Sequence, residues 1–399
     1  MTLHIFNPEH DIALASGLEN FTAPHAGRQL RHDLGFLPAL WAAADDCVLV
    51  EDVEQAQASL KRLAVAAKKY LGVEPNLQCS MVNGQWSMFN GQCSTSVDPW
   101  GWDAALRGRL RRMGVTDELL PGDDQLIMIR ELSHRRTSAL LLQRLADDGL
   151  ATAVGVMPVE CRTAEEVEAA LAERPKDPTS ATPLRGEGRV VMKAPWSSSG
   201  RGVRFVDLSP HLLTSPSSLQ GWLRGVLSRQ GSVMVEPYYN KVKDFGMEFE
   251  AGADGTVSYC GLSLFHTANG AYTGNIVATE QRKREMMGRY LPAELLDQVR
   301  ERLCHHLTNL LQGRYQGPLG VDMMIVCGDC KSPQTNGTLQ RSECRQTGFL
   351  LHPCVEINLR RTMGHAALAL TPCDDDRMGV MRITYANGCY KLGVERFSL

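Results

Sequence analysis

The chain has 399 residues, of which 43% are hydrophobic and 22% are charged. These fractions are typical of a globular protein with two or three domains, and they exclude a disordered chain, a collagen-like fibre and a low-complexity repeat. The 42 Lys and Arg residues nearly balance the 45 Asp and Glu residues, for a net charge of -3. We therefore expect no nucleic-acid partner.

The cellular compartment is indicated by what the sequence lacks. Residues 1–11 contain neither the basic nor the apolar region of a signal peptide. No apolar run approaches the roughly 18 residues that a membrane-spanning helix needs. The twelve cysteines are scattered singly, which fits reduced thiols. We expect a cytoplasmic protein with no membrane partner.

Strands and helices alternate along the first part of the chain. Strands are predicted over residues 3–7 and 47–50, and helices over 37–44, 53–71 and 100–113. This alternation predicts an α/β domain over residues 1–128. His10 and Asp11 follow the first strand, where ligand-binding loops of such domains lie. They either contact a substrate or cap the next helix.

The rest of the chain mixes longer helices with strands. Helices are predicted over residues 137–148, 163–171 and 293–311, separated by polar loops that include 173–188 and 266–280. Strands are predicted over residues 189–193, 233–236, 247–250, 257–264, 320–326 and 354–358. A hairpin over 381–392 turns at Asn387-Gly388, a type I′ signal. The polar segment 327–349 is predicted to be an insertion.

A Ser/Gly loop follows a lysine at the end of a strand. Glycines let backbone N–H groups approach phosphate oxygens, serines add hydroxyl donors, and Lys193 adds a point charge. The loop is neither a Walker A motif nor a Rossmann fingerprint. Phosphate binding and a plain surface turn both remain open. The loop residues concerned are Ser197, Ser198, Ser199, Gly200 and Gly202.

Two later strands carry metal-ligand side chains. Asp322 lies on one of them, and Glu356 and Asn358 lie on the other at positions i and i+2, which face the same side. Carboxylate and amide oxygens suit Mg2+. The alternative is that these acids are a solvent-exposed pair at a sheet edge. This alternative is weaker for acids that lie within apolar strands, because an unpaired buried charge costs several kcal/mol.

The order of these features resembles the ATP-grasp superfamily. The pattern comprises a lysine strand with a Gly-rich loop, a hinge beginning at Glu236, an acid-bearing strand at Asp322, and an E-x-N-x-R strand over residues 356–360. The resemblance covers roughly residues 130–370. It implies an N-terminal pre-ATP-grasp α/β domain (1–128), followed by a two-lobed ATP-grasp fold. The amino lobe (129–236) and carboxyl lobe (237–399) would hold ATP between two antiparallel sheets.

The resemblance also implies roles for individual residues. Lys193 would contact the α- and β-phosphates, residues 197–202 would close over the β- and γ-phosphates, and Asp244 lies near the expected ribose position. Arg360 would stabilise the transferring phosphoryl group. The adenine hinge would be formed by Glu236, Pro237, Tyr238 and Tyr239. One or two Mg2+ ions, with Mn2+ as an alternative, would be held by Asp322, Glu356 and Asn358.

The sequence departs from the family pattern in two places. Where the family usually has a lysine at the start of the first helix, this chain has Arg135 and Arg136, and either could replace it. The insertion between the metal strands replaces a tight turn. Within the predicted loop 266–280 and the basic run after it, Asn275 and Lys283 are candidates for substrate contact, against a solvated charge run.

A zinc site built on Cys327 and Cys330 is a further hypothesis. The irregular spacing of the later cysteines favours incidental thiols in an inserted loop.

The implied function is an ATP-dependent ligase. ATP would convert a small-molecule carboxylate into an acyl phosphate, which an amine would then attack. The alternatives are a kinase that phosphorylates a hydroxyl on the same scaffold, and a non-catalytic nucleotide-binding module. The sequence does not decide the oligomeric state; a dimer is compatible with it.

Overall fold

The N-terminal part of the chain forms a parallel sheet. In the computed structural model, which describes residues 1–75, 78–83, 96–172, 189–197, 202–207, 218–268, 271–327 and 348–397, four strands pair in the order β3-β2-β1-β4. These strands are β1 (Thr2–Ile5), β2 (Cys47–Leu49), β3 (Ser80–Val82) and β4 (Ser96–Pro99). The helices of this part are α1 (His10–Ser16), α2 (His25–Leu34), α3 (Val53–Leu71) and α4 (Ala104–Arg112).

The two central strands explain why this sheet needs helices on its faces. All three residues of β2 are buried, and only the first of β1 is not. Strands buried on both faces belong to parallel α/β sheets.

The predicted long helix over 53–71 is confirmed as α3. Asp52 caps its first turn by accepting a hydrogen bond from the Gln55 N–H, and the helix ends at Gly72, whose φ of 70° lies in the left-handed region.

A second, antiparallel sheet has the order β5-β8-β6-β7. Its strands are β5 (Val159–Cys161), β6 (Arg189–Lys193), β7 (Val203–Asp207) and β8 (Val233–Pro237). The helices before and beside it are α5 (Asp123–Leu132), α6 (Arg135–Asp147), α7 (Ala164–Ala172) and α8 (Ser218–Gln230). Buried side chains of α7 and α8 pack with those of β6 and β8 in a small separate core.

The third sheet is antiparallel and has seven strands, in the order β13-β12-β9-β10-β11-β14-β15. The strands are β9 (Lys241–Ala251), β10 (Val257–Ala268), β11 (Ala271–Val277), β12 (Gly317–Cys327), β13 (Phe349–Asn358), β14 (Gly379–Ala386) and β15 (Cys389–Arg396). The helices are α9 (Glu280–Met287), α10 (Ala293–Leu311) and α11 (Met363–Leu368). The predicted hairpin turn is confirmed, with Asn387 at φ 54° and Gly388 at φ 80°.

Side chains along each strand of this large sheet alternate between an apolar face, which packs in the core, and a polar face. Phe245, Met247 and Phe249 of β9 are fully buried in the main core, together with Val321 and Met323 of β12. The leucines of α6 and α10 belong to the same core. The residues between these apolar ones must point to the other face. That face carries the acids considered below.

Several elements differ from the prediction. The segment 266–280 is wrong as a loop, because β10 and β11 pair through it up to Ala268 and Ala271 and α9 begins at Glu280. Helices α1, α2, α5, α8, α9 and α11 were not predicted, and 37–44 forms only a short 3-10 turn over Leu37–Leu40. Residues 173–188, and the insertion from 328 to 347, lie outside the described residues. No helix in the described ranges is long and apolar enough to cross a membrane.

Candidate active site

Three neighbouring strands bring the acidic side chains together. Asp322 of β12 lies opposite Glu356 of β13 on one side and opposite Gly246 of β9 on the other. Asn358 is paired with Gly320, two residues earlier on β12. Since side chains alternate along each strand, all of these face the polar side of the sheet. The structure therefore places the three predicted metal ligands in one cluster.

The carboxylates of Asp322 and Glu356 lie close enough to disfavour each other's charged form. Burial and the nearby Glu356 carboxylate raise the pKa of Asp322 to about 7 from an ordinary 3.8. Asn358 Nδ2 donates a hydrogen bond to Asp322 Oδ2 at 3.1 Å. A divalent cation would relieve this charge, and two carboxylates with an amide oxygen are a suitable donor set for Mg2+. The residues present therefore fit the metal that the resemblance implies.

Glu248 is a further buried acid next to the cluster, and sequence reasoning missed it. Burial and Asp322 raise its pKa to about 8, and His365 Nδ1 lies 3.1 Å from its Oε2. A Cβ on Gly320 would come within 2.5 Å of the same oxygen. A Cβ on Gly364 would overlap Oε1. The two glycines thus leave the space that the Glu248 side chain fills.

Arg360 is held by the N-terminal domain. Its Nε and Nη2 donate to the two oxygens of Asp11, at 2.9 and 2.8 Å, and Nη2 also donates to Asn358 Oδ1 at 2.9 Å. Burial alone would raise the pKa of Asp11, but the Arg360 guanidinium lowers it. This two-pronged ion pair fixes the planar fork of Arg360 beside the acid cluster.

Arg135 joins the two lobes. It is the first residue of α6 and is buried. Its Nη1 donates to the Ala194 carbonyl and to Ser197 Oγ at 2.5 and 2.8 Å, and its Nη2 donates to Glu356 Oε1 at 2.7 Å. Arg136 instead turns outward toward Glu131, at 3.4 Å. Of the two arginines, Arg135 contacts the acid cluster, whereas Arg136 lies near Glu131 and Glu160.

Lys193 lies beside Glu236, the first residue of the predicted hinge. Its Nζ forms an ion pair with Glu236 Oε2 at 2.6 Å, and the lysine is 9% exposed. Tyr239, whose ring meets His352 edge to face at 5.0 Å, is also buried there. Burial and the nearby Lys193 lower the pKa of His352 to about 3, so this imidazole stays neutral. His352 is a second residue that sequence reasoning did not place at the site.

Tyr238 contacts Phe205 and the Arg189 guanidinium, and Asp244 accepts hydrogen bonds from Lys241 and Thr267 at 2.6 and 2.7 Å. Pro237 ends β8.

The remaining candidates divide into those at the cleft and those away from it. A narrow cleft is lined by Asp11, Ser197, Glu356 and Asn358, so all three parts of the chain contribute to it. Its volume is about 10 Å³, room for about one water molecule. Gly202 packs beside Ser197. Ser198, Ser199 and Gly200 lie outside the described residues, as does Cys330 of the zinc hypothesis.

Three candidate substrate contacts are engaged inside the protein. His10 is buried, with Nδ1 3.4 Å from Asp103. Neither His10 nor Asp11 caps α1 through its side chain, because Glu9 occupies the cap position without such a bond. Asn275 Nδ2 donates to Ser263 at 2.9 Å. Lys283, expected on a basic surface run, is buried, and its Nζ donates to the Leu262 carbonyl at 2.6 Å.

The arrangement of the sheets decides the fold. A parallel N-terminal sheet is followed by a lysine-bearing antiparallel sheet, and a second antiparallel sheet carries the acids, one of which Arg135 links to the segment after the lysine strand. This is the order of sheets that the resemblance to the ATP-grasp superfamily predicts. The fold class expected from the sequence is therefore confirmed.

Comparisons with known proteins give structures but no sequence relatives. No family model and no curated protein matches the chain. An N5-carboxyaminoimidazole synthetase from Staphylococcus aureus, complexed with ADP, is similar over 97% of this chain and 83% of its own, with 11% identity and a TM-score of 0.45. The biotin carboxylase domain of the Hydrogenobacter thermophilus 2-oxoglutarate carboxylase, in complex with ADP and magnesium, is similar over 85% of this chain and 69% of its own, with 11% identity and a TM-score of 0.48. A phosphoribosylamine–glycine ligase from Thermotoga maritima is similar over 97% of this chain and 81% of its own, with 11% identity and a TM-score of 0.47.

Proposed function

We propose that this chain is an ATP- and Mg2+-dependent ligase that activates a small-molecule carboxylate for attack by an amine. The observation that carries the proposal is the position of Arg135. One guanidinium contacts the segment after the lysine strand and also Glu356 of the acid cluster, so the proposed phosphate-binding and metal-binding groups share one cleft.

The proposed reaction has two steps. A carboxylate oxygen of the substrate attacks the γ-phosphorus of ATP, the bond to the β-phosphate oxygen breaks, and ADP leaves. An amine then attacks the acyl carbon, phosphate leaves, the nitrogen loses a proton, and an amide remains. In such transfers the protein contributes mainly positioning and electrostatic stabilisation.

The side chains of this chain divide that work. Lys193 and Arg135 neutralise phosphate charge from the amino-lobe side, and Arg360 presents a planar fork of donors at the reacting end. Asp322, Glu356 and Asn358 would hold Mg2+. When bound, the ion neutralises charge on the phosphate oxygens and orients them. The Asp11 carboxylate fixes the direction of the Arg360 fork and so brings the N-terminal domain to the reacting end.

Glu356 has two competing partners in this proposal. Its Oε1 now accepts from Arg135 at 2.7 Å, and a bound cation would draw the same carboxylate away. The cleft is also too small for a nucleotide in this arrangement. We therefore expect nucleotide binding to separate Arg135 from Glu356 and to open the cleft.

A thermal-shift experiment tests nucleotide binding. Mg-ATP should raise the Tm of the purified protein, and Glu356→Gln should lose most of that rise, measured against the variant's own Tm without ligand. Glu250→Gln is the matched control, since Glu250 lies on β9 of the same sheet and its charge interacts with Arg361 and Asp98 rather than with the cluster. Absence of a Mg-ATP shift in the wild type would refute the proposal.

A second experiment separates ligase from kinase. Amino acids and other carboxylates are screened with and without an amine, and phosphate release from ATP is measured. A ligase should release phosphate in proportion to amide product and only when both substrates are present. A stable phosphorylated product formed without an amine would instead establish the kinase alternative.

A further inference from the structure

A second cavity, with a volume of about 170 Å³, lies in the N-terminal domain and is not part of the proposed ATP cleft. Helix α1 lies between the two: Glu9 and Ala13 line this cavity, whereas Asp11 and Leu14 line the cleft. The cavity walls carry four arginines from two helices, and we refer to it as the arginine pocket. The arginines are Arg28 and Arg31 of α2, and Arg109 and Arg112 of α4.

The topology of the sheet places this pocket where ligands bind in open α/β sheets. In the order β3-β2-β1-β4, the chain proceeds outward from β1 on one side and returns with β4 on the other. The carboxyl ends of β1 and β4 therefore bound a switch-point crevice. Asn7, after β1, donates to Asp103, after β4, at 3.1 Å, and both residues line the pocket. The pocket is thus built at this crevice by the two connecting segments.

Charge in the pocket is not balanced by the protein. The four arginines face two lining carboxylates, Glu9 and Asp103, and Glu51 beside Arg31 adds a third, which leaves one positive charge. Arg31 is paired with Glu9 and also with Glu51 at 2.8 Å. Arg28, Arg109 and Arg112 form no ion pair with any residue in the described part of the chain. Burial and the like charge of Arg31 lower the pKa of Arg109, and the smaller opposing effects of the Glu51 and Glu9 carboxylates do not cancel this shift.

Glu9 adds an acceptor inside the same pocket. Its Oε1 is paired with Arg31, while its Oε2 is buried and finds no hydrogen-bond donor among the described residues. A buried oxygen without a donor is costly, so a ligand that brings one gains affinity. The pocket therefore offers guanidinium forks for an anion and, beside them, an acceptor for a hydroxyl or amine.

We propose that the arginine pocket binds a phosphate monoester whose carbon skeleton carries a hydroxyl or amine. A phosphate monoester is a dianion near neutral pH, and the three arginines of the pocket that form no ion pair within the described part of the chain offer guanidinium forks that suit its geometry. The proposal does not depend on the proposed ATP chemistry, because the pocket has its own residues on the far side of α1.

Titration calorimetry at fixed ionic strength and pH 8, without nucleotide or magnesium, tests the proposal with inorganic phosphate, glycerol 3-phosphate and succinate. Glycerol 3-phosphate should bind most tightly and succinate most weakly. Arg109→Gln should weaken glycerol 3-phosphate binding about tenfold or more, since it removes a charged donor that no protein group holds. Arg111→Gln, on the same helix with the same change in charge, is the control and should change binding less than about twofold.

Phosphate can also bind among the cations of the proposed ATP cleft, so Lys193→Met is measured alongside. Binding that survives Lys193→Met and fails in Arg109→Gln supports the arginine pocket. The proposal is overturned if the wild type binds none of the three probes at 10 mM (about the weakest affinity the method resolves), or if succinate binds as tightly as glycerol 3-phosphate. It is also overturned if Arg109→Gln and Arg111→Gln weaken binding equally.

Discussion

Asp322→Asn should make the protein more stable while removing its proposed metal site. The folded-state pKa of Asp322 is about 7, against an ordinary 3.8. One pKa unit corresponds to about 1.4 kcal/mol, so ionising this buried group at pH 8 costs about 4 kcal/mol. Asparagine has the same shape, carries no charge, and can still accept the hydrogen bond from Asn358. We expect the variant to gain about 2–4 kcal/mol at pH 8 without Mg2+, allowing for relaxation around the charge.

The pH dependence of that gain has a definite sign. A carboxyl group whose pKa is raised on folding binds a proton more tightly in the folded state, so its cost to stability grows as pH rises from about 4 to about 7. The difference between variant and wild type should therefore be large at pH 8 and nearly absent at pH 4, measured by urea unfolding. Asp148→Asn is the control of opposite sign, because Arg302 and His306 lower the pKa of Asp148. An Asp322→Asn variant that is less stable than wild type at pH 8 without Mg2+ would refute the reasoning.

Two further substitutions test the packing around the cluster. Gly364→Ala would force a Cβ onto Glu248 and should destabilise the protein by about 1–3 kcal/mol in urea unfolding; Gly221→Ala, where a Cβ meets nothing within 4 Å, should be neutral or stabilising, and equal effects would contradict the steric argument. Asp11→Asn removes the carboxylate that holds Arg360 through two charged hydrogen bonds and should cost about 1.5–3 kcal/mol at pH 7. That loss should shrink as pH falls below 3.8 toward the lowered pKa of Asp11, and a variant as stable as wild type at pH 7 would argue against the pair.

The order of the motifs could be predicted because each motif is recognised from a short stretch of consecutive residues. The strands carrying Lys193, Asp322 and Glu356 each show a short apolar run with a polar residue at a fixed place, and strand periodicity alone puts Glu356 and Asn358 on one face. The α3 and α10 helices were predicted with their bounds, since their apolar spacing is regular over nineteen residues each. Patterns of this kind depend only on residues within one segment, so they could be recognised without knowing the tertiary contacts.

The contacts between distant segments could not be predicted. Asp11 and Arg360 are separated by 349 positions, and no property of either neighbourhood indicates the other. Glu248 reads in sequence as one of several alternating acids on β9, and only the packing of Gly320 and Gly364 around it shows that it is enclosed. Strand β11 was missed because its glycine and polar residues resemble a turn, whereas pairing with β10 and β14 decides its conformation.

Arginine at position 135 makes contacts that a lysine there could not make. Its planar fork reaches three acceptors at once, namely the Ala194 carbonyl, Ser197 Oγ and Glu356 Oε1. An ammonium group is a compact point charge on a flexible stem and cannot span acceptors on two lobes with the same fixed geometry. The arginine therefore couples the position of the segment after Lys193 to the charge state of the acid cluster. A cation that takes up Glu356 would release one end of this link, which connects metal binding to opening of the cleft.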